Sequence, residues 1–121
     1  MKLEVGMYVR TLEGIMKAIE IKEDRAMTRF VNEDGNVYFI NDLMTNPSYN
    51  IIDLIEVGDF ITLGENNYPL QVRNIWEFAE DINIELSNGA KFEDLHDNKD
   101  FKIYSIVTKE QFESMVYEVD M

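Results

Sequence analysis

Alternation of apolar and polar residues runs through most of the chain and predicts strands nearly end to end. Leu3, Val5, Met7 and Val9 share one side of a two-residue period, which predicts a strand over 3–10. Thr11-Leu12-Glu13-Gly14 reads as a turn. Three further strands follow over 15–21, 27–31 and 37–40. The charged tip Lys22-Glu23-Asp24-Arg25 and the turn Asn32-Glu33-Asp34-Gly35-Asn36 separate them. Residues 41–44 suit one turn of helix, 45–48 a loop, and Tyr49 to Leu54 a short strand. The second half reads as strands over 57–63, 68–78, 82–86, 91–92 and 102–107. Its cleanest alternation is Ile82, Ile84 and Leu86 against Asn83 and Glu85. Ala79-Glu80-Asp81 reads as an acidic tip. Ser87-Asn88-Gly89 closes a hairpin, and Asn-Gly suits the positive φ angles of a type I′ turn. Thr108-Lys109-Glu110-Gln111 is a capping box, so a helix is predicted over 109–115, with Phe112 and Met115 on one face. Val116 to Val119 reads as a last short strand.

The pattern is doubled. Leu3-Glu4-Val5-Gly6-Met7-Tyr8-Val9 returns as Ile55-Glu56-Val57-Gly58-Asp59-Phe60-Ile61. Gly35 answers Gly89. Phe39-Ile40-Asn41-Asp42-Leu43 matches Phe92-Glu93-Asp94-Leu95 with one residue deleted, and Tyr49-Asn50-Ile51-Ile52 matches Tyr104-Ser105-Ile106-Val107. A period of about 50 residues made of five short strands is the size of a small barrel. The expected fold is mostly β: two tandem SH3-like small barrel units, 1–53 and 54–121, with a short C-terminal helix. A single larger barrel is the alternative.

Charge adds the next constraint. The chain carries 24 acidic and 11 basic residues, a net charge of -13. Residues 1–53 hold nine acids and six bases, and residues 54–121 fifteen acids and five bases. Such a chain is repelled by nucleic acid and anionic membranes and attracted to basic protein surfaces. Solubility alone is the plainer explanation of the charge. There is no cysteine, no apolar run long enough to span a bilayer, and no signal-peptide pattern, so the expected compartment is the cytoplasm.

Candidate chemistry is thin. His96 is the sole histidine, in Asp94-Leu95-His96-Asp97-Asn98-Lys99-Asp100. The loop lacks the central Gly and terminal Glu of a calcium loop, so a solvated acidic loop is preferred to a metal-dependent hydrolase. No Gly-x-Ser-x-Gly, no Gly-rich phosphate loop and no cysteine nucleophile occur, and no cofactor is expected. Tyr68, Trp76, Phe78 and Phe92 have acidic neighbours, which disfavours direct nucleic-acid binding. The remaining reading is protein binding by Glu77, Glu80, Asp81, Glu85, Glu93, Asp94, Asp97 and Asp100, with Glu65 nearby. If these converge, they imitate the spaced charge of a nucleic-acid backbone.

Three phrases carry a family resemblance: Met1-Lys2-Leu3-Glu4-Val5-Gly6-Met7-Tyr8-Val9-Arg10-Thr11, Tyr49-Asn50-Ile51-Ile52-Asp53-Leu54-Ile55-Glu56-Val57-Gly58-Asp59-Phe60, and Ser105-Ile106-Val107-Thr108-Lys109-Glu110-Gln111-Phe112-Glu113-Ser114-Met115. They resemble a group of small, mostly uncharacterised proteins of phages and prophages of Gram-positive bacteria. That group brings no established activity and no catalytic residues. The Val-Gly lead-in also resembles SH3-like barrels of the KOW and Tudor kind. The resemblance, size and acidity together imply a non-enzymatic phage inhibitor in the host cytoplasm. Its expected partner is a basic, nucleic-acid-binding bacterial protein, with a CRISPR effector as the best single candidate. An adaptor or scaffold module without mimicry is the alternative.

Overall fold

The doubled phrase builds the same backbone feature twice. Gly6 and Gly58 take φ angles of +94° and +100°, which a side chain opposes. The Gly6 N–H donates to Ala18 O at 2.8 Å, and the Gly58 N–H to Val72 O at 2.9 Å. The next amides, Met7 and Asp59, each donate 3.1 Å back to Glu4 O and Glu56 O. Ala18 and Val72 then donate to the Met7 and Asp59 carbonyls. The two stretches are thus matched bond for bond.

The computed structural model describes residues 2–64, 67–98 and 101–119, the last five by backbone alone. The fold is mostly β, with two antiparallel sheets and one short C-terminal helix. The chain divides into two units, Met1–Leu54 and Ile55–Met121.

In unit 1, β1 (Tyr8–Thr11), β2 (Gly14–Glu23), β3 (Thr28–Asn32) and β4 (Val37–Phe39) pair in chain order. Ser48 bridges Tyr8 on the free side of β1. In unit 2, β5 (Phe60–Thr62), β6 (Leu70–Phe78), β7 (Asp81–Leu86), β8 (Lys91–Phe92) and β9 (Ser105–Val107) run in the order β8-β7-β6-β5-β9. With Ser48 standing for β9, the two orders are the same. Both second strands also bulge at matching places, between Ala18 and Glu20 and between Val72 and Asn74.

The cores correspond as well. Leu3, Val9, Ala18 and Phe30 are buried in unit 1, and Ile55, Ile61, Val72 and Ile84 take the matching places in unit 2. One position breaks the correspondence. Met7 is buried in the first core, while its counterpart Asp59 is fully buried as a carboxylate. Asp59 Oδ2 accepts from the Glu56 N–H at 2.8 Å, and Oδ1 from the Lys109 N–H at 3.0 Å. It therefore holds the first turn of α1 (Lys109–Val119), where N–H groups lack intrahelical partners. The Lys109 ammonium meets Glu56 at 2.9 Å. The capping box closes the same end: the Gln111 N–H donates to Thr108 Oγ1, and the Thr108 N–H to Gln111 Oε1.

Several sequence expectations change. Val5 does not share a face with Leu3, Met7 and Val9; it is exposed, because the chain turns at Val5-Gly6 before β1 begins. Residues 51–54 form a 3-10 turn rather than a strand, with Asn50 Oδ1 capping the Ile52 N–H. The buried Arg10 donates from its guanidinium to Leu54 O at the end of that turn. Residues 116–119 continue α1 instead of forming a strand. Tyr38, not Phe39, occupies the place of Phe92, since Phe30 pairs with Tyr38 as Ile84 pairs with Phe92. By its pairing, Ser48 rather than Tyr49 or its neighbours stands where β9 stands.

Candidate functional site

The acidic residues singled out from the sequence fall into three situations, set by the β6–β7 hairpin. Its turn has only two residues, Ala79 and Glu80, between the paired Phe78 and Asp81. Both sit at positive φ, +53° and +67°, which a two-residue hairpin of type I′ requires. Neither is Gly or Asn, so the turn stores strain on the order of 1–2 kcal/mol per residue. The hairpin expected to use this turn does not. Asn88 has no positive φ; Gly89 alone supplies it, at +88°, with the Leu86 N–H donating to Ala90 O.

The turn fixes which way each side chain faces. Directly opposed residues share a face, and successive residues alternate. Glu77 opposes Ile82, and Glu85 opposes Asn74, so Glu77 and Glu85 project on opposite faces. Glu85 is also opposed on its other side by Lys91, which offsets its charge. By the same alternation Glu85 shares the face of Asp81 and Asn83, and Glu77 lies on the other face; Glu85 leaves the candidate group because Lys91 opposes it, and Glu77 stays in it by its place at the hairpin tip.

Residues 93–98 fold back along the start of β7. Asp94 turns the chain at φ +53°. Its N–H donates to Asn83 Oδ1 at 3.0 Å, and the Leu95 N–H donates to Ile82 O at 3.0 Å. The Asp97 and Asn98 amides then close onto Asp94 O. This return covers Asn83, whose amide group also donates to Trp76 O at 3.3 Å. Asn83 is buried, though strand alternation alone predicts an exposed position.

Asp81 is not a surface charge. It is buried, and its Oδ1 accepts from the Ile82 N–H at 2.8 Å and the His96 N–H at 2.9 Å. The His96 Nδ1 lies 3.3 Å from the same oxygen. Burial by itself raises the Asp81 carboxyl, but the two donated amides and the neighbouring imidazole outweigh it and hold the group below the usual carboxylate value. Asp81 thus fastens the 93–98 segment to β7. Asp100 and Glu65 lie outside the described residues.

What gathers is one end of the hairpin. Glu77, Glu80, Asp81, Glu93, Asp94 and Asp97 lie on segments 77–83 and 93–98, joined by the bonds above, and these segments contain no Lys or Arg. Phe78 stands among them and is 73% exposed. An exposed aromatic beside carboxylates has the make-up of a protein-binding patch, with an anchor and a polar rim. The sequence named Phe78 only as a non-binder of nucleic acid; its exposure depends on a turn no motif announces.

Among the described residues, no group of three or more His, Cys, Asp or Glu side chains could hold a metal ion. No helix among them is long and apolar enough to cross a membrane. No family model, curated protein or solved structure matches the chain.

Proposed function

We propose that the protein is a non-enzymatic binding protein whose two units are SH3-like barrels. In this reading the acidic end of unit 2 blocks the basic groove of a nucleic-acid-binding protein. The observation that carries this reading is the grouping of five exposed carboxylates, Glu77, Glu80, Glu93, Asp94 and Asp97, on two segments that the buried Asp81 helps to join, without an intervening Lys or Arg. Charge of one sign at one place raises encounter rates with a groove of the other sign and makes the association salt-dependent. The strained Ala79-Glu80 turn supports the same reading, because strain kept at a surface tip points to a use for that geometry. Phage origin and a CRISPR effector as target are the sharper form of the proposal, resting on the resemblance described above.

The test is a cleavage assay with a panel of effectors, each with guide and target, with the protein in molar excess. Inhibition that fades as salt is raised is the expected result. In the triple variant Glu77→Lys, Glu80→Lys, Asp97→Lys, inhibition should fall by at least tenfold. Asp81 is left intact because it holds the segment together. Inhibition undiminished in the triple variant rejects the acidic end as the contact. Silence across the whole panel rejects the effector as the target.

A further inference from the structure

Each unit carries a cleft at the same place, between its first strand turn and the segment after its fourth strand. The unit-1 cleft has a volume of about 500 Å³ and is lined by Glu13, Asp42, Tyr38, Leu12, Leu43 and Met44, with Thr11 and Asn41. A unit-2 cleft of about 460 Å³ is lined by Leu63, Phe92, Phe101 and Lys102. Leu63 stands where Thr11 stands in the repeat, and Phe92 where Tyr38 stands. The two differ in the sign of their charged groups. The unit-2 lining holds an aromatic pair, Phe92 and Phe101, 5.0 Å apart between ring centres, together with Leu63, Asn98 and Lys102. The unit-1 lining holds two carboxylates and no Lys or Arg.

The backbone that carries the unit-1 groups is held by local bonds. Glu13 lies in the β1–β2 turn, where its N–H donates to Thr11 Oγ1 at 3.0 Å. Asp42 Oδ2 accepts from the Phe39 N–H at 3.0 Å. Phe30 stacks against the Tyr38 ring, with centroids 5.5 Å apart and planes at 20°. Burial and the charges of Glu13, Asp34 and Asp42 raise the Tyr38 pKa, so the phenol stays neutral.

The two carboxylates repel an anion. A cation meets two acceptors and an aromatic ring. The planar guanidinium suits this set better than an ammonium, because its fork can serve two carboxylates while its plane lies against a ring. We propose that the unit-1 cleft receives an arginine side chain of a partner protein, held by Glu13 and Asp42 against Tyr38. This does not depend on the acidic end of unit 2.

The test is a titration of capped Gly-Arg-Gly into the isotopically labelled full chain, followed by amide chemical shifts. The citrulline peptide, a neutral isostere, is the control. Saturable shifts at residues 11–13, 38 and 41–44 are expected with arginine, and none with citrulline. Glu13→Gln should raise Kd about tenfold, the loss of one charge-assisted bond. The double variant Glu13→Gln, Asp42→Asn should abolish saturation. Asp42 also holds a backbone amide, so if the double variant loses its dispersed spectrum, the exposed Glu13→Gln variant alone decides. Glu80→Lys, Asp97→Lys in unit 2 should bind the peptide as wild type does, which separates this site from the acidic end. Equal binding of citrulline, an unchanged Kd in Glu13→Gln, or shifts outside the cleft would overturn the assignment.

Discussion

At the scale of single residues, the carboxylates of unit 2 do different work in similar sequence surroundings. Asp59 and Asp81 are buried and hold other segments; Glu80 and Asp97 are exposed. The difference lies in the donors each one meets, and those come from residues 50 and 15 positions away, Lys109 and His96. Asp81 yields a pH prediction. Its folded pKa is lowered, so its stabilisation is complete above the ordinary carboxylate value of about 3.9 and is lost as pH falls through the lower folded value. Asp81→Asn should therefore lower Tm at pH 7, and the gap to wild type should narrow as pH falls below the ordinary carboxylate value of about 3.9. A gap that stays constant from pH 7 to 2.5 would show that Asp81 acts through shape and not charge.

At the scale of elements, glycines at matched positions give a controlled comparison. Gly6 and Gly58 have nearly the same φ, but a Cβ at Gly58 would lie 3.3 Å from Lys109 Cδ, whereas one at Gly6 meets only Tyr49, at 3.7 Å. Both Ala variants should lose about 1–3 kcal/mol by denaturant unfolding, with Gly58→Ala the more costly. Adding Lys109→Ala should remove the excess. The repeat of Val-Gly is legible in the sequence, but the turn it makes is not, because the alternation over 3–10 reads as unbroken strand. Most strands are legible from that alternation. The failures share one cause: partners distant in sequence. Residues 51–54 are as apolar as a strand but close into a 3-10 turn beside Arg10. Residues 116–119 read as strand by composition but extend a helix already started by its cap. Asn-Gly drew the type I′ expectation, while Ala79-Glu80 takes that geometry because β6 and β7 pair right up to them.

At the scale of the whole molecule, the excess of acid was plain from composition, but its placement was not. The tip turn decides that Glu77 and Glu85 face apart, and a fold-back bonded to Asn83 decides that residues 93–98 join the tip. The net charge of -13 carries its own prediction. Like charges repel within each folded unit, so added salt should stabilise the protein by screening them. Raising sodium chloride from about 10 to 500 mM, where the screening length falls from about 30 Å to a few Å, should raise Tm by several degrees. A Tm that falls with salt would mean that ion pairs such as Lys109–Glu56 outweigh the repulsion.

The exchange of Met7 for Asp59 also bears on how the chain is made. Unit 1 fills that place with an apolar side chain supplied at the start of its own first strand. Unit 2 fills it with a carboxylate that waits for an amide fifty residues downstream. During synthesis, the lead-in to β5 leaves the ribosome long before residue 109 does. The turn at 56–59 closes on its own bonds, but Asp59 gains the Lys109 amide only once residue 109 is made, and a product broken off ahead of Lys109 carries a carboxylate that lacks that donor. Such a fragment is marked as incomplete by its own chemistry.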